Sequence, residues 1–264
     1  MPTYALLGAT GSTGSAILRC LLSSPPQDLT LNIFVRNKAK LLAAFPSLES
    51  TPAFKVSIFE GTPTDDSTSL RACLADVEVI FAVIASNVST PGMSICYDTA
   101  AAIIAALKYH RQQQQQGPTT SAVPTVIQLR SASINETLKA AMPWLPRTMA
   151  EFIFHHCYAD LRRASALFVS SSPGILHYIF VDPPAIHDPE GTTPTGFKLI
   201  VDGEGEQASA LSYADLGAAF VEVAARREEL RGREVGPTAT GEVKLTVGNL
   251  LPFLVAGVRG RVWG

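Results

Sequence analysis

Apolar positions along the chain recur in two rhythms. Short β-branched and aromatic runs stand at 4–8 (YALLG), 31–36 (LNIFVR), 54–61 (FKVSIFEG), 77–86 (VEVIFAVIAS), 125–133 (TVIQLRSAS) and 176–184 (LHYIFVDPP). Between them, helical spacing fills 13–24, where Ile17, Leu18, Leu21 and Leu22 share one side, and then 38–45, 66–75, 92–111 and 148–169. Strand-length runs alternating with helical segments predict βαβ units, and so a parallel sheet with helices on both faces and right-handed crossovers.

The pattern breaks twice. RQQQQQGPTTSAVP (111–124) is polar, repetitive and closed by Gly and Pro, which reads as a mobile low-complexity surface loop. After 184 the alternation loosens: 187–198 is turn-rich, 212–230 (SYADLGAAFVEVAARREEL) is an amphipathic helix, and mixed elements follow. No shift in composition resembles a linker. The expectation is one domain, 1–264, with 187–264 capping the substrate side.

The first turn carries the chemistry. GATGSTG places Gly8, Gly11 and Gly14 between the first strand and the first helix. Glycines there allow a tight turn and close approach of backbone to a pyrophosphate, while the helix N-terminus offers N–H groups and the positive end of its dipole. That dipole contributes only about 0.3–1 kcal/mol at an exposed site, so Thr10, Ser12, Thr13 and backbone amides must add hydrogen bonds. The fold class expected is therefore a Rossmann-type, doubly wound α/β sheet. The second strand ends in FVRNKAK, with Arg36 where an acidic residue would hold the ribose of NAD, and Lys38 and Lys40 follow. Arginine there suits the 2′-phosphate of NADP, which its planar fork can bind through charge-assisted bonds; NADP(H) is the cofactor expected. Ligands of open α/β sheets bind at the carboxyl ends of the strands. Ala85, Ser86 and Asn87 after the fourth run, Ser131 and Ser133 after the fifth, and Pro183 in DPP after the sixth thus point into one crevice. Asp65 could reach the adenine or simply cap the next helix.

Composition narrows the setting. The 264 residues are 47% hydrophobic and 17% charged with a formal charge of −2, so a basic nucleic-acid face is not expected. Cys20, Cys73, Cys96 and Cys157 are scattered without CxxC pairs or nearby histidines, reading as buried thiols of a reducing compartment with no metal site. The start lacks the pattern of a secretion signal, and LLPFLVAGV is too short to span a bilayer. A cytoplasmic protein is expected, with no membrane partner. A homodimer is compatible with this composition and charge.

The helix at 148–169 raises the catalytic question. TMAE has the form of a capping box, with Thr148 as N-cap and Glu151 three residues on. Ile153, Cys157, Leu161, Ala164 and Phe168 fall on one apolar stripe, and Glu151, His155, Tyr158 and Arg162 on a polar one beside it. Tyr158 facing Ser131 or Ser133 would make a proton donor. Many nicotinamide-dependent reductases place lysine four residues after such a tyrosine; here Arg162 stands there and would set the field. A phenol of ordinary pKa about 10 needs such a cation to ionise near neutrality, whereas histidine is the residue type whose unperturbed pKa, about 6.5, suits acid/base work there, and His155 is the alternative. An ordinary helix edge, with Arg162 paired to Glu151, is the alternative. His156 points off the polar stripe, and Asp160 and Arg163 read as surface charges. His187, Asp188, Thr192 and Phe197 are candidate substrate contacts, and Met142 and Trp144 could form a flat apolar wall or a plug.

GATGSTG, the FVRNKAK turn and SYADLGAAFVEVA together resemble the NmrA-like, atypical branch of the short-chain dehydrogenase/reductase superfamily over nearly the whole chain. YADLRRA, DPPAIHDPEGTTPTGFKL and SYADLGAAFVEVA are similar to its fungal averufin-oxidase type. The resemblance implies an NADP-binding oxidoreductase acting on an aromatic polyketide of the anthraquinone or xanthone kind. Two other readings keep the fold: an isomerase, dehydratase or cyclase using His155 and Tyr158 as acid and base, or a non-catalytic NADP-sensing regulator.

Overall fold

The computed structural model describes residues 1–64, 67–114, 122–187 and 193–243. Asp65, Asp188, Thr192, most of the glutamine-rich loop (115–121) and the C-terminal 244–264 lie outside the described residues.

The first half follows the predicted alternation: β1 (Thr3–Leu7), α1 (Ser12–Ser23), β2 (Thr30–Val35), α2 (Lys38–Ala44), β3 (Lys55–Glu60), α3 (Ser67–Cys73), β4 (Val79–Ala82) and α4 (Ile95–Gln114). The second half holds β5 (Thr125–Leu129), α5 (Glu136–Ala141), α6 (Trp144–Ile153), α7 (His155–Ser171), β6 (His177–Val181), β7 (Ala185–His187), β8 (Phe197–Val201), β9 (Ala210–Ser212), α8 (Tyr213–Ala225), α9 (Arg227–Leu230) and β10 (Glu234–Ala239). The main sheet runs β3-β2-β1-β4-β5-β6-β10-β8. All its pairings are parallel except β10 with β8. The order reverses between β1 and β4, which opens a crevice beyond their carboxyl ends.

Both faces are covered, which is why the strands read as near-continuous apolar runs. In β1, Tyr4 and Leu6 pack on one side with Ile17, Leu18 and Leu21 of α1 and Leu216 and Phe220 of α8. Ala5 and Leu7 face the other side, with Ile103 and Leu107 of α4 and Leu161 and Phe168 of α7. In the described part of 187–264, β8 and β10 extend the sheet and α8 covers it beside α1, while β9 pairs in parallel with β7, which ends at His187, as a separate two-stranded sheet.

Two helices expected to be continuous are each broken. The 148–169 helix is α6 and α7, parted at Phe154 (φ −103°, ψ 21°), whose ring turns onto Tyr158 at 5.7 Å between centroids. The predicted capping box is not formed. The helix begins earlier, at Trp144, because Pro146 is tolerated in a first turn; Thr148 Oγ1 donates to the Trp144 carbonyl at 2.8 Å, and Glu151 pairs with Lys139 at 2.5 Å. The 212–230 helix stops at Arg226, held between Glu222 and Glu229, before α9 resumes.

Candidate functional site

The glycine turn is built around two close approaches. Gly8 has φ +99°, and a side chain there would press on Val83 and Ile84 at the exit of β4, 3.2 Å away. A Cβ on Gly14 would lie 2.1 Å from the Gly8 carbonyl oxygen, so only glycine lets α1 start that close to the strand. The Gly11 N–H donates to Gly8 O at 3.0 Å, and Ser15 Oγ ties the turn to Ala9 O at 2.9 Å. Gly11 at the N-cap of α1 brings no side-chain bond, and its first turn holds no acidic residue. The leading N–H groups of a helix have no acceptor within it, so this end suits an anion. Thr10 is half-buried, Ser12 exposed and Thr13 buried at the same turn. The residues fit the pyrophosphate of a dinucleotide.

At the end of β2, Arg36 and Lys40 are exposed. Lys38 pairs with Glu49 at 2.7 Å, and Asn37 caps α2 by accepting from the Lys40 N–H at 2.7 Å. After β4, Ala85 and Asn87 are exposed, while Ser86 is half-buried and accepts from the Val88 N–H at 3.1 Å.

The opposite end of the crevice is made of side chains from several elements. Ser131 follows β5 and accepts from the Ser133 N–H at 3.3 Å; its hydroxyl donates to Tyr158 Oη at 3.4 Å. Ser133 and Tyr158 are both buried. Burial pushes the Tyr158 phenol above its ordinary value; hydrogen bonds from Ser131 and Ser133 oppose this, and the pull of Arg162 is the last of the causes. Arg162 is exposed. The field expected from it does not carry the phenol downward, because a solvated guanidinium is screened while the phenol is dry. His155 is exposed at the start of α7, its ring edge-on to His156 at 5.0 Å. Pro183 is buried, and its carbonyl accepts from the Ala132 N–H at 2.9 Å, joining the ends of β5 and β6 beside Ser131. Trp144 stands 70% exposed, in solvent rather than in a wall, and Met142, His187 and Phe197 are half-buried.

Two features escaped the sequence reading. Asp160, expected at the surface, is buried and accepts from the Cys96 and Tyr97 N–H groups at 2.8 and 3.1 Å, capping α4 from α7. Arg163, by contrast, is exposed over the Tyr97 ring at 4.2 Å. Under Ser131, Arg130 makes a bidentate pair with buried Asp182 (2.7 and 2.6 Å), reaches Glu234 at 2.8 Å and lies over the Phe180 ring at 4.2 Å. Asn135 donates to both carboxylates, at 2.8 and 2.7 Å. A charge ending the apolar run TVIQLR was the available signal for this network.

This fold and turn define a nicotinamide-dinucleotide-binding protein of the Rossmann class. The family model described as NAD(P)H-binding matches residues 8–227. Averufin oxidase A of Dothistroma septosporum is 48% identical over 99% of this chain and 92% of its own length. Averufin oxidase A of Aspergillus flavus is 47% identical over 99% and 91%. A Veillonella parvula short-chain dehydrogenase/reductase, solved in complex with NADP, superposes with a TM-score of 0.62 at 18% identity, covering 91% of this chain and 95% of that one. The chain belongs to the NAD(P)H-binding family and, within it, to the averufin-oxidase type of fungal oxidoreductase. No helix among the described residues is long and apolar enough to cross a membrane.

Proposed function

We propose that the protein is an NADP(H)-dependent oxidoreductase of fungal secondary metabolism, acting on an aromatic polyketide of the anthraquinone or xanthone kind. Tyr158 is the proton donor, held by Ser131 and Ser133. The observation that carries this reading is the Ser131–Tyr158 contact at 3.4 Å, formed at the carboxyl end of β5 in the same crevice as the glycine turn. The averufin oxidases of D. septosporum and A. flavus supply the substrate class. Exposed Arg36 and Lys40 after β2, with no acidic residue at Arg36's place, support NADP over NAD.

The nicotinamide supplies hydride transfer to or from a quinone or ketone carbon. The chain's own residues handle the proton. Because burial raises the Tyr158 pKa, the phenol is neutral at physiological pH and gives a proton to substrate oxygen more readily than it takes one. Ser131 and Ser133 stabilise the phenolate that remains and orient the hydroxyl. The four cysteines are free thiols, in keeping with a reducing, cytoplasmic setting.

Tyr158→Phe tests the assignment in single-turnover reduction with NADPH. Hydride transfer should slow about 10²- to 10⁴-fold with NADPH affinity unchanged, and the wild-type rate should show no loss of the donor until the pH passes the ordinary phenol value of about 10. An undiminished rate in Tyr158→Phe would remove the phenol from the mechanism. The exposure of Arg162 favours one second reading, acid–base chemistry without hydride transfer. It requires turnover with no change in the near-ultraviolet absorbance of NADPH.

A further inference from the structure

Ser131 stands on a strand end that lacks one of its rungs. β5 and β6 pair in parallel up to Leu129 and Val181. Two bonds carry the ladder on: the Arg130 N–H donates to the Val181 carbonyl at 2.8 Å, and the Ala132 N–H to the Pro183 carbonyl at 2.9 Å. Bonds of a parallel ladder are evenly spaced, and the one between these two would run from the N–H of residue 183 to the Arg130 carbonyl. Proline has no N–H, so that rung cannot form. Ser131 lies at the gap in extended backbone (φ −155°, ψ 143°).

A side-chain pair spans the same gap. Arg130 Nε and Nη2 donate to the two Asp182 carboxylate oxygens at 2.7 and 2.6 Å, and both residues are buried. Asp182 is itself fastened to β10: its N–H donates to the Val235 carbonyl at 2.8 Å, and Gln207 Nε2 donates to its carbonyl at 2.9 Å. We propose that Arg130 and Asp182 are positioning residues of the reaction, their fork replacing the rung that Pro183 removes and so fixing Ser131 against Tyr158. The inference rests on the assignment of Tyr158 as proton donor. A bidentate pair sets orientation as well as distance, which a single bond does not. The guanidinium is matched by the Asp182 and Glu234 carboxylates, so the network offers Tyr158 no net positive field; what it supplies is geometry. That geometry has little slack, because the Ser131–Tyr158 contact is already 3.4 Å long and O–H···O bonds centre near ~2.8 Å.

Arg130→Lys keeps the positive charge and gives up the fork, and Ser131→Ala sets the size of a complete loss of the contact. Protein made with tyrosine carrying carbon-13 at Cζ reports the Tyr158 hydroxyl through the resonance that disappears in Tyr158→Phe. Arg130→Lys should move that resonance in the same direction as Ser131→Ala, and should add nothing to it in the double variant. Single-turnover hydride transfer from NADPH to anthraquinone-2-sulfonate should slow about 10- to 100-fold, the scale of a small misplacement, again with no further loss beside Ser131→Ala. The NADPH Kd should not change. An unmoved resonance, effects that add in the double variant, or NADPH affinity lost in step with the rate would each overturn the inference. If Arg130→Lys does not fold, Glu234→Gln decides: this half-exposed change leaves Arg130 or Asn135 short of an acceptor, so a smaller shift in the same direction is expected, and no shift overturns the inference. If wild type passes no hydride to the quinone, the oxidoreductase reading fails on that probe, while the tyrosine resonance still decides the positioning.

Discussion

The two ends of the crevice are built by opposite means. At the glycine end the geometry is backbone: a positive φ at Gly8, a near-contact between Gly14 and the Gly8 carbonyl, and an open helix terminus. At the tyrosine end it is side-chain packing between elements far apart in sequence. Ser131 and Tyr158 come from β5 and α7, and Arg130 reaches Asp182 and Glu234 at the ends of β6 and β10. Backbone geometry needs particular residues at fixed spacing. Side-chain networks can be drawn from anywhere in the chain.

This difference decides what could be read beforehand. The strand alternation, the glycine turn and the basic turn after β2 were legible because each rests on local spacing. Asp160 was misread because its burial depends on the N-terminus of α4, sixty-four residues earlier in sequence at Cys96. The break at Phe154 was hidden because the apolar stripe of α7 continues in phase from Ile153 of α6. Asp182 was seen only as the neighbour of two prolines; its partner lies across the sheet.

The largest effect should come from breaking the side-chain end. Arg130→Met leaves the Asp182 carboxylate buried without its bidentate partner, and removal of one member of a buried pair costs about 3–5 kcal/mol. Urea denaturation reads this directly, and an effect below about 1 kcal/mol would show that the network does not hold the strand ends together.

A middle-sized effect tests cofactor choice at the backbone end. Arg36→Ser should weaken NADPH about 10- to 100-fold, the range of one charge-assisted bond or slightly more, while leaving NADH affinity unchanged. Equal losses for both cofactors would assign Arg36 a structural role.

The smallest effect is a pH dependence of stability. Folding raises the pKa of Cys73, Cys96 and Cys157 and of Tyr4, Tyr158 and Tyr213, in each case chiefly through burial. The folded state therefore holds these protons more tightly than the unfolded chain. Their contribution is complete below the unfolded values, about 8.5 for thiols and about 10 for phenols, and is lost as pH rises through the folded ones. Thermal unfolding followed from pH 7 upward should show Tm falling first as thiols of the unfolded chain ionise, then more steeply. A Tm that stayed level to pH 10 would contradict this burial.

The central claim is that α1 begins close enough to β1 to hold a pyrophosphate, and that only glycine at position 14 permits it. Titration of NADPH into wild type and Gly14→Ala, with far-ultraviolet circular dichroism to verify folding, tests it most directly. The account predicts binding by wild type and at least a ~100-fold loss in a folded Gly14→Ala, equivalent to about 2.7 kcal/mol. A folded Gly14→Ala that binds NADPH as tightly as wild type would contradict it.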